Sequence, residues 1–162
     1  MNDTLKKIIA HLIDLKLTIC TCESMTGGLL ASYFTNINNS SKVFKGSIVA
    51  YDTSIKINLV KVKKELIDEY GTISPECANA MASNIKKIFA SDLAISVTGN
   101  ASLIGPIENK PVGLAYVTIY IFDKKHEFCF RSKIAKTREE IKHECCFFIF
   151  EQLWNLIKNL KQ

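Results

Sequence analysis

Arginine is nearly missing from this chain. Only Arg131 and Arg138 stand among 21 Lys and Arg residues, which against 16 Asp and Glu leave a formal charge of +5. The lysines fall in scattered pairs, Lys63-Lys64, Lys86-Lys87 and Lys124-Lys125, without a stripe of interleaved aromatics. Nucleic acid is therefore a poor candidate partner, because a basic footprint needs its cations gathered on one face. Long apolar runs are lacking too. None approaches the roughly 18 residues of a membrane-spanning helix, so no membrane partner is expected. The amphipathic N-terminus MNDTLKKIIAHLIDLKL carries Asp3 and Asp14 and reads as a domain helix rather than a signal peptide, which makes the cytoplasm the expected compartment. Six cysteines occur, yet there is no CxxC pair and no His/Cys spacing of a zinc site, so no metal is expected. With 48% hydrophobic residues in 162, the chain can build a core without a disulfide frame. All six cysteines, Cys129 included, are expected as buried, reduced thiols. Residues 1–162 read as one domain.

What the sequence does contain is a sustained alternation of helix and strand signals. Leu5, Ile8, Ile9, Leu12, Ile13 and Leu15 recur at helical spacing and predict a first helix over about residues 3–16. LTICT, Leu17 to Thr21, is a short β-branched run that predicts a buried strand, and a second helix begins at Leu29. VFKGSIVAY, Val43 to Tyr51, predicts the second strand, followed by helical segments near 53–60 and 63–70 and a helix capped by Ser74 with Pro75 at its first position. LAISVTG predicts a third strand, and VGLAYVTIYIF and EFCFRSKI flank Asp123-Lys124-Lys125 as a hairpin. Thr137-Arg138-Glu139-Glu140 is a capping box opening the last helix. This order predicts an α/β fold, a three-layer α/β/α sandwich with a mixed, mostly parallel sheet. Ligands of such folds sit beyond the carboxyl ends of the parallel strands, which gathers three loops: 23–28, about 51–56, and 98–110.

The first of these loops, CESMTGG, holds more polar chemistry than a strand-to-helix turn requires. It is not a Walker loop, since no GK[ST] follows, and it is not GxSxG. Three readings stand side by side. Ser24 or Thr26 caps the helix; or the N–H groups around Thr26, Gly27 and Gly28 bind an anion; or Ser24 is a nucleophile and those N–H groups stabilise an oxyanion. A nucleophilic serine needs a base. His11, His126 and His143 lie on a helix, by a hairpin turn and mid-helix, whereas Lys56 falls in one of the convergent loops. A lysine desolvated by protein walls has a lowered pKa and can take a proton.

CESMTGGLLAS, then NNSSKVFKGSIVAYDTSIK, YGTISPECANAMA, SVTG and KPVGLAYV, in this order, resemble the C-terminal domain of the competence-damage-inducible protein A (CinA) family. That family's enzymes are nicotinamide-nucleotide amidases. The resemblance implies an α/β/α fold and hydrolysis of the carboxamide of nicotinamide mononucleotide, a small-molecule nucleotide substrate, with no cofactor. It places the family's serine on Ser24, its lysine on Lys56 and its tyrosine on Tyr51. The threonine of its VTG motif falls on Thr98, beside Gly99, and the arginine before its last helix on Arg138. Thr26, Gly27 and Gly28 would join Thr98, Gly99 and Arg138 in holding the nucleotide. A homo-oligomer is expected as well. Arg138, in a helix's first turn, runs against the macrodipole preference, which a bidentate phosphate contact would explain.

Two departures from the family pattern qualify this. The glycine-rich run after VTG reads here Asn100-Ala101-Ser102-Leu103-Ile104-Gly105-Pro106, and the Gly-Asp before the family arginine reads Lys136-Thr137. Ser102 and Leu103 are expected to crowd a loop that elsewhere closes by backbone alone, slowing turnover or leaving a nucleotide-binding protein without hydrolysis.

Overall fold

Side-chain alternation along the strands sets the layers. In the computed structural model, which describes residues 2–103, 107–133 and 137–161, Ile19 of β1 (Ile19–Glu23) and Leu93, Ile95 and Val97 of β3 (Leu93–Gly99) enter one apolar core. Their neighbours Cys20, Cys22 and Ala94 enter another, as the two-residue period of a strand demands. The first core is closed by α1 (Asn2–Leu15), α2 (Leu29–Thr35) and α6 (Arg138–Ile157). The second is closed by α5 (Pro75–Phe89) through Cys77, Met81 and Ile85. Two short helices, α3 (Thr53–Asn58) and α4 (Lys64–Tyr70), lead into α5. The result is the expected sandwich of a sheet between helical layers.

The strand order is β2-β1-β3-β4-β5, with β2 (Phe44–Val49) at one edge and the hairpin β4 (Leu114–Ile121) and β5 (Lys124–Arg131) at the other. β1 pairs parallel with both β2 and β3, while β3–β4 and β4–β5 pair antiparallel. The sheet is mixed, as expected. Parallel and antiparallel pairings are equal in number where the sequence weighted the parallel ones, although β4 alone runs against the other strands.

Two details correct the sequence reading. β1 extends to Glu23 rather than ending at Thr21, because Cys22 and Glu23 are paired on both sides, with Ile48 and Val49 of β2 and with Ser96 and Val97 of β3. Cys129 is exposed. It sits on the open face of edge strand β5, where Phe128 and Phe130 turn toward α6 instead.

The chain leaves β1 through α2 on one face to reach β2, then crosses the other face through α3, α4 and α5 to reach β3 on β1's far side. That reversal opens a crevice at the carboxyl end of β1, the place where open α/β sheets bind ligands. The N-terminus of α6 is brought to the same end by the hairpin and is fixed by its capping box: Thr137 Oγ1 accepts from Glu140 N at 3.1 Å and Glu140 accepts from Thr137 N at 2.8 Å. Across the crevice, Glu108 accepts from the Thr72 hydroxyl and, at 3.0 Å, from Ile73 N, pinning the 107–110 turn to the start of α5. Thr137→Ala removes one half of the box and is expected to lower stability by about 1 kcal/mol, read as a reduced urea midpoint at unchanged slope; an unchanged midpoint would show that the box contributes nothing.

Candidate active site

A fully buried lysine is costly unless its surroundings satisfy it or let it shed its proton. Lys56 is 2% exposed. Its Nζ lies 3.0 Å from Ser24 Oγ, 2.6 Å from the Ala50 carbonyl and 3.2 Å from the Tyr51 carbonyl. Burial holds its pKa below the ordinary lysine value, and the opposing pull of Cys77, Cys22, Asp52 and Glu108 does not cancel this. The Cys22 and Cys77 thiols are themselves pushed up by burial, to about 12 and about 11, and bring no thiolate near neutral pH. A neutral amine has two N–H bonds and one lone pair. Two carbonyls for the N–H bonds and one hydroxyl for the lone pair fit that form, while an ammonium donates to all three. The site accommodates both states without moving a heavy atom.

Ser24 is the first residue beyond β1. Its N–H donates to the Val97 carbonyl at 3.0 Å, so the end of β3 fixes its backbone, and its side chain is nearly buried. What shapes the loop after it is Glu23, whose carboxylate is wholly inaccessible. Oε2 accepts from the Thr26 hydroxyl at 2.8 Å and from the N–H groups of Gly28 and Leu30 at 3.0 Å. Oε1 accepts from Ala31 N at 2.8 Å and Ser47 Oγ at 3.3 Å. The start of α2 thus already holds an anion, and it is part of the chain.

This changes the reading of three positions. The Thr26 hydroxyl and the Gly28 N–H, expected to face a ligand, are committed to Glu23. The Gly27 N–H closes a turn onto the Ser24 carbonyl at 3.1 Å. Gly27 and Gly28 adopt φ of +62° and +95°, a left-handed path that favours glycine. Among the described residues, the backbone N–H groups of Met25 and Thr26 are left without a partner beside Ser24.

Thr98 lies in the same crevice, buried, its hydroxyl donating to the Thr72 carbonyl at 2.7 Å. Gly99 is explained by packing: a Cβ there would fall 2.5 Å from the Leu114 carbonyl oxygen and 2.7 Å from Met25 Sδ. Tyr51 is 61% exposed and its hydroxyl accepts from Arg138 Nη2 at 3.2 Å. The Tyr51–Arg138 contact stands between two adjoining clefts. The inner one, about 150 Å³, is lined by Ser24, Lys56 and Thr98 on its polar side and by Met25, Ile73, Ala101 and Ile107 on its apolar side. The outer one, about 390 Å³, shares Met25, Tyr51 and Arg138 and adds Gly27, Lys142 and His143.

Ser24, Lys56, Tyr51, Thr98 and Arg138 are therefore together at one end of the sheet. Sequence reasoning passed over the roles of Glu23, Lys142 and His143. Glu23 carried a signal, a charge at the end of an apolar strand; Lys142 and His143 carried only helical spacing from Arg138. Of the altered loop, Ile104, Gly105, Pro106 and Lys136 lie outside the described residues. Ser102 and Leu103 line neither cleft, and Leu103 is half exposed, so the obstruction expected of them finds no support; the lining position belongs to Ala101. Asn100 is buried and braces the loop, bonding the Lys110 carbonyl at 3.0 Å and Ser102 N at 2.7 Å. No group of three His, Cys, Asp or Glu suited to a metal occurs among the described residues, and no described helix is long and apolar enough to cross a membrane.

An α/β sheet with a serine and a buried lysine in contact at its switch point defines the class. The sequence model of the CinA C-terminal domain matches residues 1–157, and the chain belongs to that family. A CinA-like protein of Prochlorococcus marinus (strain MIT 9301) is 45% identical over 133 residues, 78% of this chain and 31% of that protein. One from Dictyoglomus thermophilum is 42% identical over 119 residues, 73% of this chain and 29% of that protein. The match thus spans about a third of the length of these curated relatives. The crystal structure of competence damage-inducible protein A from Klebsiella pneumoniae superposes with a TM-score of 0.92 at 20% identity, covering 99% of this chain and 98% of that one. The competence/damage inducible protein CihA from Agrobacterium tumefaciens gives 0.90 at 29% identity, covering 96% and 94%.

Glu23→Gln would turn one acceptor into an NH₂ group facing N–H donors it cannot satisfy. The expected loss of stability is about 1–3 kcal/mol, measured by urea denaturation. A variant as stable as the wild type would mean that the loop does not depend on the carboxylate.

Proposed function

We propose that this chain is an amidase that hydrolyses the carboxamide of nicotinamide mononucleotide to nicotinate mononucleotide and ammonia, in the recycling of pyridine nucleotides. The observation that carries the reading is the 3.0 Å contact between Ser24 Oγ and a Lys56 amine whose pKa burial has lowered. The family resemblance supplies the substrate; the names of the relatives go no further than CinA-like.

The chemistry follows from the positions. Ser24 Oγ attacks the carboxamide carbon as its proton passes to the Lys56 lone pair. The unpartnered N–H of Met25, which follows the nucleophile in the chain and lines the inner cleft, would take the developing oxyanion, for which a preorganised backbone donor is well suited. Collapse breaks the C–N bond, Lys56 returns the proton to the departing nitrogen, and ammonia leaves an ester on Ser24. Water then attacks that ester, giving one proton to Lys56; the acyl C–O bond to Ser24 breaks as Lys56 passes that proton to Ser24 Oγ, and the acid product sheds its remaining proton to solvent as it leaves as a carboxylate. In this reading the nicotinamide ring enters the inner cleft of about 150 Å³, beside Met25, Ile73, Ala101 and Ile107. The ribose and phosphate would then extend past Tyr51 and Arg138 into the outer cleft, which shares both residues. Fixed by its own hydrogen bond to Thr72, Thr98 offers its hydroxyl oxygen to the ring or amide only as an acceptor.

Ammonia release from nicotinamide mononucleotide by the purified protein tests this directly. Wild type is expected to release it and Ser24→Ala is not, with a thermal stability within about 1 kcal/mol of wild type. A wild type that binds the nucleotide without releasing ammonia would leave a binding protein in the amidase's place. Lys56→Met is expected to be inactive, and Lys56→Arg is not expected to restore activity, because a guanidinium cannot accept the proton.

The pH dependence has a defined sign. The base works unprotonated, so kcat/KM should rise with pH and level off above the Lys56 pKa, at a point below the 10.5 of an ordinary lysine. A profile that keeps rising past that value, or none at all, would remove Lys56 from the role.

A further inference from the structure

We propose that Lys142 is a second cation of the site and that, with Arg138, it binds a phosphate monoester in the outer cleft. The proposal rests on the amidase reading for the identity of the substrate, but on the cleft itself for the site. Arg138 and Lys142 are one turn apart on α6 and so share a face. Both line the outer cleft, which joins the nucleophile's cleft through Met25, Tyr51 and Arg138. Lys142 Nζ lies over Gly27, 3.7 Å from where a Cβ on that glycine would stand. The ammonium therefore rests against the loop that carries Ser24.

Neither cation is neutralised from within. Among the described residues, Lys142 makes no hydrogen bond or ion pair, and the only described partner of Arg138 is the uncharged Tyr51 hydroxyl. The one carboxylate lining the cleft, Glu139, is 83% exposed and turned toward His143 at 3.6 Å. Two like charges on one helix face, in its first turns, repel each other and oppose the macrodipole. A bound dianion would relieve both costs.

The alternative anion site is also occupied. The N–H groups at the start of α2, which would otherwise serve a phosphate, hold Glu23. An anionic ligand entering this crevice meets the side-chain cations Arg138 and Lys142 instead, which suit a compact doubly charged group.

The test is binding by calorimetry at low and high salt, with the full chain and three probes: ribose 5-phosphate, inorganic phosphate and ribose. Wild type should bind ribose 5-phosphate more tightly than inorganic phosphate, should not bind ribose, and should lose affinity as salt rises. Lys142→Met keeps the apolar stem and should weaken ribose 5-phosphate about tenfold, as loss of one charge-assisted contact predicts; Lys142→Arg should restore it. In turnover, Lys142→Met should raise KM for nicotinamide mononucleotide by a similar factor, with kcat and the hydrolysis of the phosphate-free riboside unchanged. Equal affinity of Lys142→Met and wild type for ribose 5-phosphate overturns the proposal, as does wild-type binding of ribose as strong as that of its phosphate. Lys142-dependent phosphate binding in a protein that releases no ammonia would uphold the subsite while the amidase reading fell.

Discussion

The interaction on which the site depends is the burial of one carboxylate, that of Glu23, at the end of the central strand. A carboxylate without water needs donors on every lone pair, and here it receives five: two hydroxyls and three backbone N–H groups from the loop, helix and neighbouring strand that follow it. Satisfying those donors dictates the path of residues 24–31. The two left-handed glycines let the chain wrap the carboxylate tightly enough for Gly28, Leu30 and Ala31 all to reach it. The same path leaves Ser24 on the wall of the crevice, with the amides of Met25 and Thr26 outside the set that Glu23 engages. The polar excess of CESMTGG is thereby accounted for: most of it organises the loop, and only Ser24 is left to the chemistry.

The second constraint is the environment of Lys56. Desolvation is what lowers a lysine's pKa, and the second core supplies it, with Cys22 and Cys77 close beneath the amine. Apolar thiols suit this position because their own pKa values are raised and they bring little charge to hold the proton on the lysine. A nearby aspartate or glutamate in direct contact would have kept the ammonium charged; Asp52 is instead engaged by Ser54 and Glu108 by Thr72 and Ile73. The histidines have other partners. His11 donates to the Ile157 carbonyl and His143 bonds the Tyr33 hydroxyl.

Much of this was legible in the sequence where local chemistry decides. The caps at Ser74 and Thr137, the hairpin, the alternating faces of β1 and the convergence of three loops all follow from patterns of a few residues. Less was legible where partners are distant. The end of β1 lies two residues beyond the β-branched run, because Glu23 does not read as strand and only pairing on both sides keeps it there. Cys129 looks like core among its neighbours, yet its strand turned out to lie at an edge with one face uncovered. Likewise, no local signal says that Lys142 of the last helix reaches the loop of the first strand.

These distant contacts explain the arrangement of charge around the crevice. Once Glu23 fills the start of α2, the N–H donors there are taken by a carboxylate buried from solvent behind the nucleophile. A ligand anion finds no free donors on that side and has to be met from another. The opposing wall is α6, delivered to the same end of the sheet because the hairpin reverses the chain twice before it. Its first two turns carry Arg138 and Lys142 toward the crevice. The scarcity of arginine then acquires a physical meaning. Lysines suffice for the solvated faces of this chain, and one of its only two arginines stands where a planar, always-charged fork bridges the loop of one strand and the helix that follows the last.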